Sequence, residues 1–65
     1  MKVTTRQKEL LQLIVEGHKT EEAAKLMSIG YRTARNHLFD VRQELGLDTT
    51  LKVVVTLLRA GVLKL

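Results

Sequence analysis

Arg32 and Arg35 stand in the stretch IGYRTARNHLF, residues 29–39, which holds no carboxylate although the chain has seven Asp and Glu. A guanidinium is a planar fork of N–H donors that matches guanine O6 and N7, or a phosphate, in bidentate fashion. Asn36, beside Arg35, offers the amide that pairs with adenine N6 and N7. Tyr31, Arg32 and Thr33 carry donors suited to phosphate oxygens, contacts that set register rather than read sequence. Phe39 falls one helical turn beyond Arg35, on the outward side. A place at the edge of the core is slightly favoured for it over contact with a thymine methyl. His37 lies beside the apolar stripe and reads as a half-buried packing residue with a phosphate hydrogen bond. Upstream, Lys19 and Thr20 begin another helical segment whose first N–H groups can hold a phosphate. Simple capping accounts for that start equally well. Glu22 reads as structural, pairing with a nearby base.

Other chemistries find less to work with. The chain has no cysteine, which excludes disulfides and thiolate zinc sites. His18 and His37 are too far apart for an i, i+4 ligand pair, and His18 reads as a loop residue. No phosphate-cradling glycine loop, Ser-His-Asp set or paired carboxylates can be placed, so no enzyme, metal or cofactor is expected. Lys plus Arg number 11 against 7 acids, a formal charge of +4 that favours polyanions, nucleic acid before anionic membrane. No apolar run approaches the roughly 18 residues needed to span a bilayer, and no signal-peptide pattern opens the chain. A cytoplasmic protein is expected.

The side chains that could touch DNA need a scaffold, and sixty-five residues without proline suggest one small helical domain. Glycines at 17, 30, 46 and 61 divide the chain into four pieces. The spacing predicts helices over about 5–16, 20–28, 31–45 and 50–60. Thr4 and Gln7 form a capping-box pattern at the start of the first, and Gly17 is placed just past its end. Thr20 is the expected N-cap of the second, with Glu21 and Glu22 in its first turn where the helix dipole favours acids. Gly30 falls at the N-cap of the third, and Asp48 or Thr49 caps the fourth. The β-branched run Val53-Val54-Val55-Thr56 suits a strand by propensity, but it does not alternate in polarity and has no partner strand. Helix is the better reading.

A short helix, a tight connection and a longer helix basic at its start make a helix-turn-helix arrangement. Ala24 is the small residue that lets the second helix cross closely, Ile29 the apolar residue of the turn, and Ala34 the apolar residue inside the second helix. In the fourth helix, Val53, Val54, Leu57 and Gly61 share the natural inward side. Leu51, Val55, Leu58 and Val62 form a second apolar strip, with Arg59 beside it. A small monomer has no reason to expose such a strip, so it is read as the seam of a homodimer. An N-terminal arm around Val3 covering it is the lesser alternative.

These residues resemble the LuxR-type (GerE-like) DNA-binding domain that is also shared by NarL-type response regulators. VTTRQKELLQLI follows the family's opening at Thr4, Arg6, Glu9 and Leu11, and Gly17 matches the glycine that ends its first helix. EEAA resembles a Glu-Ile-Ala segment at Glu22 and Ala24. IGYRTARNH is similar to Ile-Ser-x-x-Thr-Val-Lys-x-His at Ile29, Thr33 and His37, with Arg35 for lysine. ELGL and VVVTLLRAGVLKL continue the likeness to the end of the chain. The chain departs from the pattern at Gly30, Asp40, Glu44 and Thr50, where the family has Ser, Asn, Lys and Arg. Two of these changes add negative charge late in the third helix, so DNA contact is expected mainly from its first half.

The resemblance implies an all-α, four-helix LuxR/GerE-type helix-turn-helix domain whose third helix enters the major groove. It also implies dimers through the fourth helix, and a sequence-specific regulator of transcription. Double-stranded DNA is the expected partner, with RNA polymerase a further one. Two alternatives stay open: a protein-interaction module on the same scaffold, which Asp40 and Glu44 keep alive, and a fragment like sigma-factor region 4. With no room for a sensing or receiver domain, control is expected through expression and partners, or from a longer regulator of which this is a piece.

Overall fold

A computed structural model describes residues 2–65. Four helices follow one another among them: α1 Thr5–Val15, α2 Thr20–Leu26, α3 Tyr31–Leu45 and α4 Thr50–Arg59. No strand occurs among the described residues. The valine run of α4 is helical: Val53 and Leu57 are fully buried, while Val55, which a strand would place on the same face as both, is 37% exposed.

Each start has its own local cause. Thr4 Oγ1 accepts from the Gln7 N–H at 3.1 Å while Gln7 Oε1 accepts from the Thr4 N–H at 3.0 Å, a reciprocal capping box. Thr49, not Asp48, caps α4, its Oγ1 accepting from the Lys52 N–H at 3.1 Å. Asp48 instead pairs with the Lys52 ammonium at 2.8 Å, and this hydrogen bond and charge hold its carboxyl below the ordinary aspartate value. At α2 the expectation is corrected. Lys19 is the N-cap, Thr20 is the first helical residue, and Glu22 Oε1 accepts from the Lys19 N–H at 3.0 Å rather than pairing with a base.

The helix ends share one device. After each helix a residue takes left-handed backbone angles, and two N–H groups turn back to the last free carbonyls. Glycine occupies this place after α1, α3 and α4, at positions 17, 46 and 61. After α2 the residue is Ser28, at φ 57°. The glycines divide the chain as expected, three closing helices and Gly30 opening one, while the left-handed residue after α2 is a serine. Gly30 starts α3 as expected, and α2 ends at Leu26, two residues before the expected boundary.

The core is built from Leu10 and Leu11 of α1, Ala23 and Ala24 of α2, Ala34, Leu38 and Val41 of α3, Val53 and Leu57 of α4, and Leu63. Alanines at 23, 24 and 34 leave little side-chain bulk between α2 and α3, whose contact is the most extensive in the molecule. Ile29 plugs the turn between them, half-buried against the core. Two long-range ties complete the frame. Arg6 donates to the Met27 carbonyl at 3.1 Å while ion-pairing Glu9 at 2.9 Å, so α1 satisfies a carbonyl at the end of α2. The Gln12 side-chain amide both donates to the Lys64 carbonyl (2.7 Å) and accepts from the Lys64 N–H (3.0 Å), holding the segment after α4 against α1.

Candidate nucleic-acid interface

α3 buries Ala34, Leu38 and Val41, packs Leu45 against the core, and turns most of its remaining circumference outward. At about 100° per residue, that outer surface divides in two. Tyr31, Arg35 and Arg42 fall toward one flank, and Thr33, His37, Asp40 and Glu44 toward the other, with Arg32, Asn36, Phe39 and Gln43 between. The acids late in the helix thus lie across it from Arg35 and Arg42. Among the described residues the only ion pairs are Arg6 with Glu9 and Lys52 with Asp48, so Arg32, Arg35 and Arg42 have no carboxylate partner.

Thr20 at the start of α2 joins Tyr31, Arg32, Arg35, Asn36, Phe39 and Arg42 around one shallow, largely polar cleft. The Arg35 guanidinium lies 5.9 Å from the centre of the Tyr31 ring, and that of Arg42 lies 5.9 Å from the centre of the Phe39 ring. Both distances allow cation–π attraction. Tyr31 is 49% exposed and Phe39 51%, which removes Phe39 from the core edge where it was slightly favoured. Gly30 provides no side-chain acceptor for the first N–H groups of α3, unlike Thr4 and Thr49 at α1 and α4.

Of the nine residues expected to touch DNA, the structure brings five into this cleft with Arg42: Thr20, Tyr31, Arg32, Arg35 and Asn36, and Phe39 makes a sixth. Lys19 is exposed at the N-cap of α2. Thr33 is exposed and His37 half-buried on the other flank of α3. Arg42 is a cleft residue beyond those nine. The signal was available, since it stands seven residues after Arg35 and so returns to the same side of the helix.

The second candidate surface lies on α4. Leu51 is 72% exposed, Val55 37%, Arg59 is exposed and Leu58 half-buried. Leu51 and Leu58 border an apolar groove with Ile14, Val15, Val54 and Leu65. Val3 packs on the core, yet Leu51 and Val55 remain open to solvent, so the N-terminal arm does not cover the strip. Two positions differ from expectation. Gly61 is exposed in the turn rather than facing inward, and Val62 lies past the helix end, lining a groove with Leu13 and Leu26.

No group of three or more potential metal-binding side chains occurs among the described residues, and no helix there is long and apolar enough to cross a membrane.

Comparison with known proteins gives concordant results. The family model "Bacterial regulatory proteins, luxR family" matches residues 1–57. The Spore germination protein GerE of Bacillus subtilis (strain 168) is 38% identical over 63 residues, covering 97% of this chain and 85% of that protein. An uncharacterized response regulatory protein of Escherichia coli (strain K12), YgeK, is 30% identical over 60 residues, 92% of this chain but only 41% of that protein. A solved structure of the transcription factor GerE superposes with a TM-score of 0.90 at 33% identity, covering 94% of this chain and 91% of that one. These matches favour a regulator over the interaction-module and sigma-fragment readings. With four helices, a helix-turn-helix pair and a family match over most of its length, the chain belongs to the LuxR family of bacterial regulatory proteins, as a GerE-type DNA-binding domain of a transcriptional regulator and not an enzyme.

Proposed function

We propose that α3 lies in the major groove of duplex DNA with its arginine flank against one wall, and that the domain reads a specific sequence to regulate transcription. The observation that carries this reading is the pair of exposed guanidiniums, Arg32 and Arg35, with no carboxylate partner among the described residues, gathered with Asn36 in one cleft. Arg35 forks onto guanine O6 and N7, Asn36 pairs with adenine, and the open edge of Phe39 meets a thymine methyl. Arg32, Tyr31, Thr33 and His37 hold phosphates on the two groove walls, Thr33 and His37 serving the wall opposite the arginines. Lys19 and Thr20 add phosphate contacts from the start of α2, which crosses the backbone in this type of docking.

A second copy is proposed to dock on the α4 strip, through Leu51, Val55, Leu58 and Arg59. Such a homodimer places two α3 helices on two-fold related half-sites. RNA polymerase is a proposed further partner and the cytoplasm the proposed location.

The test is selection of bound duplexes from a random pool, followed by affinity measurements on variants. Arg35→Ala should relax preference at one base position and cost roughly 1–3 kcal/mol there. Arg32→Ala should weaken all sequences alike. If both variants bind the selected duplex as tightly as the parent, α3 is not the reading helix.

A further inference from the structure

We propose that Arg42, laid over the Phe39 ring in the last turn of α3, is a further phosphate contact to duplex DNA, with Phe39 as its positioning residue; this rests on the docking of α3 proposed above. Three observations converge on it. Arg42 lines the same cleft as Arg35, Asn36 and Thr20 and stands on the arginine flank of the helix. Its guanidinium is 5.9 Å from the centre of an aromatic ring that is itself half open to solvent. It has no carboxylate partner among the described residues, although Asp40 and Glu44 are its neighbours two positions away on either side. Two steps along a helix turn a side chain through about 200°, so both acids point away from it.

A simpler role is a cation placed to complement the helix dipole, since Arg42 is in the last turn of α3. Side chains on a helix lean toward its N-terminus, and here that lean carries the guanidinium over Phe39 and toward the cleft. The flat ring limits where the arginine stem can swing, so less freedom is lost when a phosphate is bound. The location decides which part of DNA it meets. Arg42 lies about 10 Å further along the helix axis than Arg35. The start of a recognition helix reaches base edges and its far end meets the backbone. The chemistry required is therefore a phosphodiester oxygen, and the contribution is affinity and register rather than base choice.

The experiment uses the full chain and a duplex that it recovers from a random pool, with affinity measured across a salt series. Each phosphate contact adds about 0.9 to the magnitude of the log–log salt slope. Arg42→Ala should lower the magnitude by that amount per bound protomer and weaken binding about fivefold at physiological salt, on every sequence tested. Arg42→Met, which keeps the stem on the ring, should do the same and serves if the alanine variant folds poorly. Phe39→Leu should reproduce part of the loss and Phe39→Tyr should restore it, with melting temperatures unchanged.

An unchanged slope and affinity in both Arg42 variants would overturn the proposal. So would a changed preference at one base pair in the Arg42 variants, or an affinity loss in them that merely tracks a fall in melting temperature. If the parent binds and these variants do not differ from it, only this inference falls. If the parent recovers no duplex at all, the docking of α3 falls with it.

Discussion

Ser28 shows most directly how a single residue sets local energetics in this domain. It adopts φ 57° in the turn between α2 and α3, a conformation that is unfavourable for a side chain bearing a Cβ. The other three helices end on glycine at the equivalent place. Ser28→Gly should therefore stabilise the protein by about 0.5–1 kcal/mol, the relief of strain exceeding the extra chain entropy that glycine loses on folding. Chemical denaturation reads the change directly, and a destabilised variant would show that the hydroxyl has a compensating role. Arg6 is instructive for another reason. Its sequence neighbours suggest only an exposed i, i+3 pair with Glu9, yet its second nitrogen reaches the Met27 carbonyl across the fold. A surface ion pair is worth little by itself. Satisfying a carbonyl at the end of α2 gives the residue a structural role that charge pairing does not.

Among the elements, α4 separates two roles on two sides. Its inner side carries Val53 and Leu57, both fully buried, and its outer strip carries Leu51 and Val55. Leu57→Ala should cost about 3 kcal/mol through lost burial and the cavity left behind. That is a large part of the total stability, on the order of 3–10 kcal/mol, expected for a domain this small. Denaturant titration should show a sharply lowered midpoint or an unfolded chain. The α2–α3 pair obeys a different constraint. α2 is only seven residues long and draws its stability from packing, with Ala23 and Ala24 against the core and Glu22 holding the Lys19 N–H. α3 is twice as long, and its outer surface carries charge of both signs on separate flanks. A substitution on the acidic flank should perturb DNA binding less than one on the arginine flank.

At the scale of the whole molecule, the limiting quantity is core size. Ten apolar residues are buried among the described residues, and the chain has no cysteine. A domain of this length buries only about 60% of its unfolded surface. Association through the α4 strip would add the burial that the monomer lacks. Its signature is a melting temperature that rises with protein concentration, because binding to the folded state alone stabilises by mass action. Leu51→Asp should abolish that rise and reduce the mass in solution to that of the monomer, while leaving helix content intact. A parent whose melting temperature is independent of concentration, with monomer mass throughout, would remove the dimer. The formal charge of +4 acts at this same scale by steering the domain toward polyanions, whatever the detail of α3.

The helix positions, the Thr4–Gln7 box, the Gly30 start and the candidate arginines could all be read along the chain, while the cap of α4 was narrowed only to Asp48 or Thr49. Each depends on residues within four positions of one another, and the 3.6-residue period projects them onto faces without knowledge of the fold. The end of α2 is not legible, because a serine carries no signal for left-handed backbone angles, nor is the role of Glu22, because a carboxylate can satisfy an N–H as well as a base. Folding was needed to bury Leu63, to close Gln12 onto Lys64 and to bring Arg6 to Met27. Folding also exposed Phe39 and joined Thr20 to the α3 arginines. Those features connect residues far apart in the chain, and no local periodicity encodes which distant groups will meet when four short helices close around one small core.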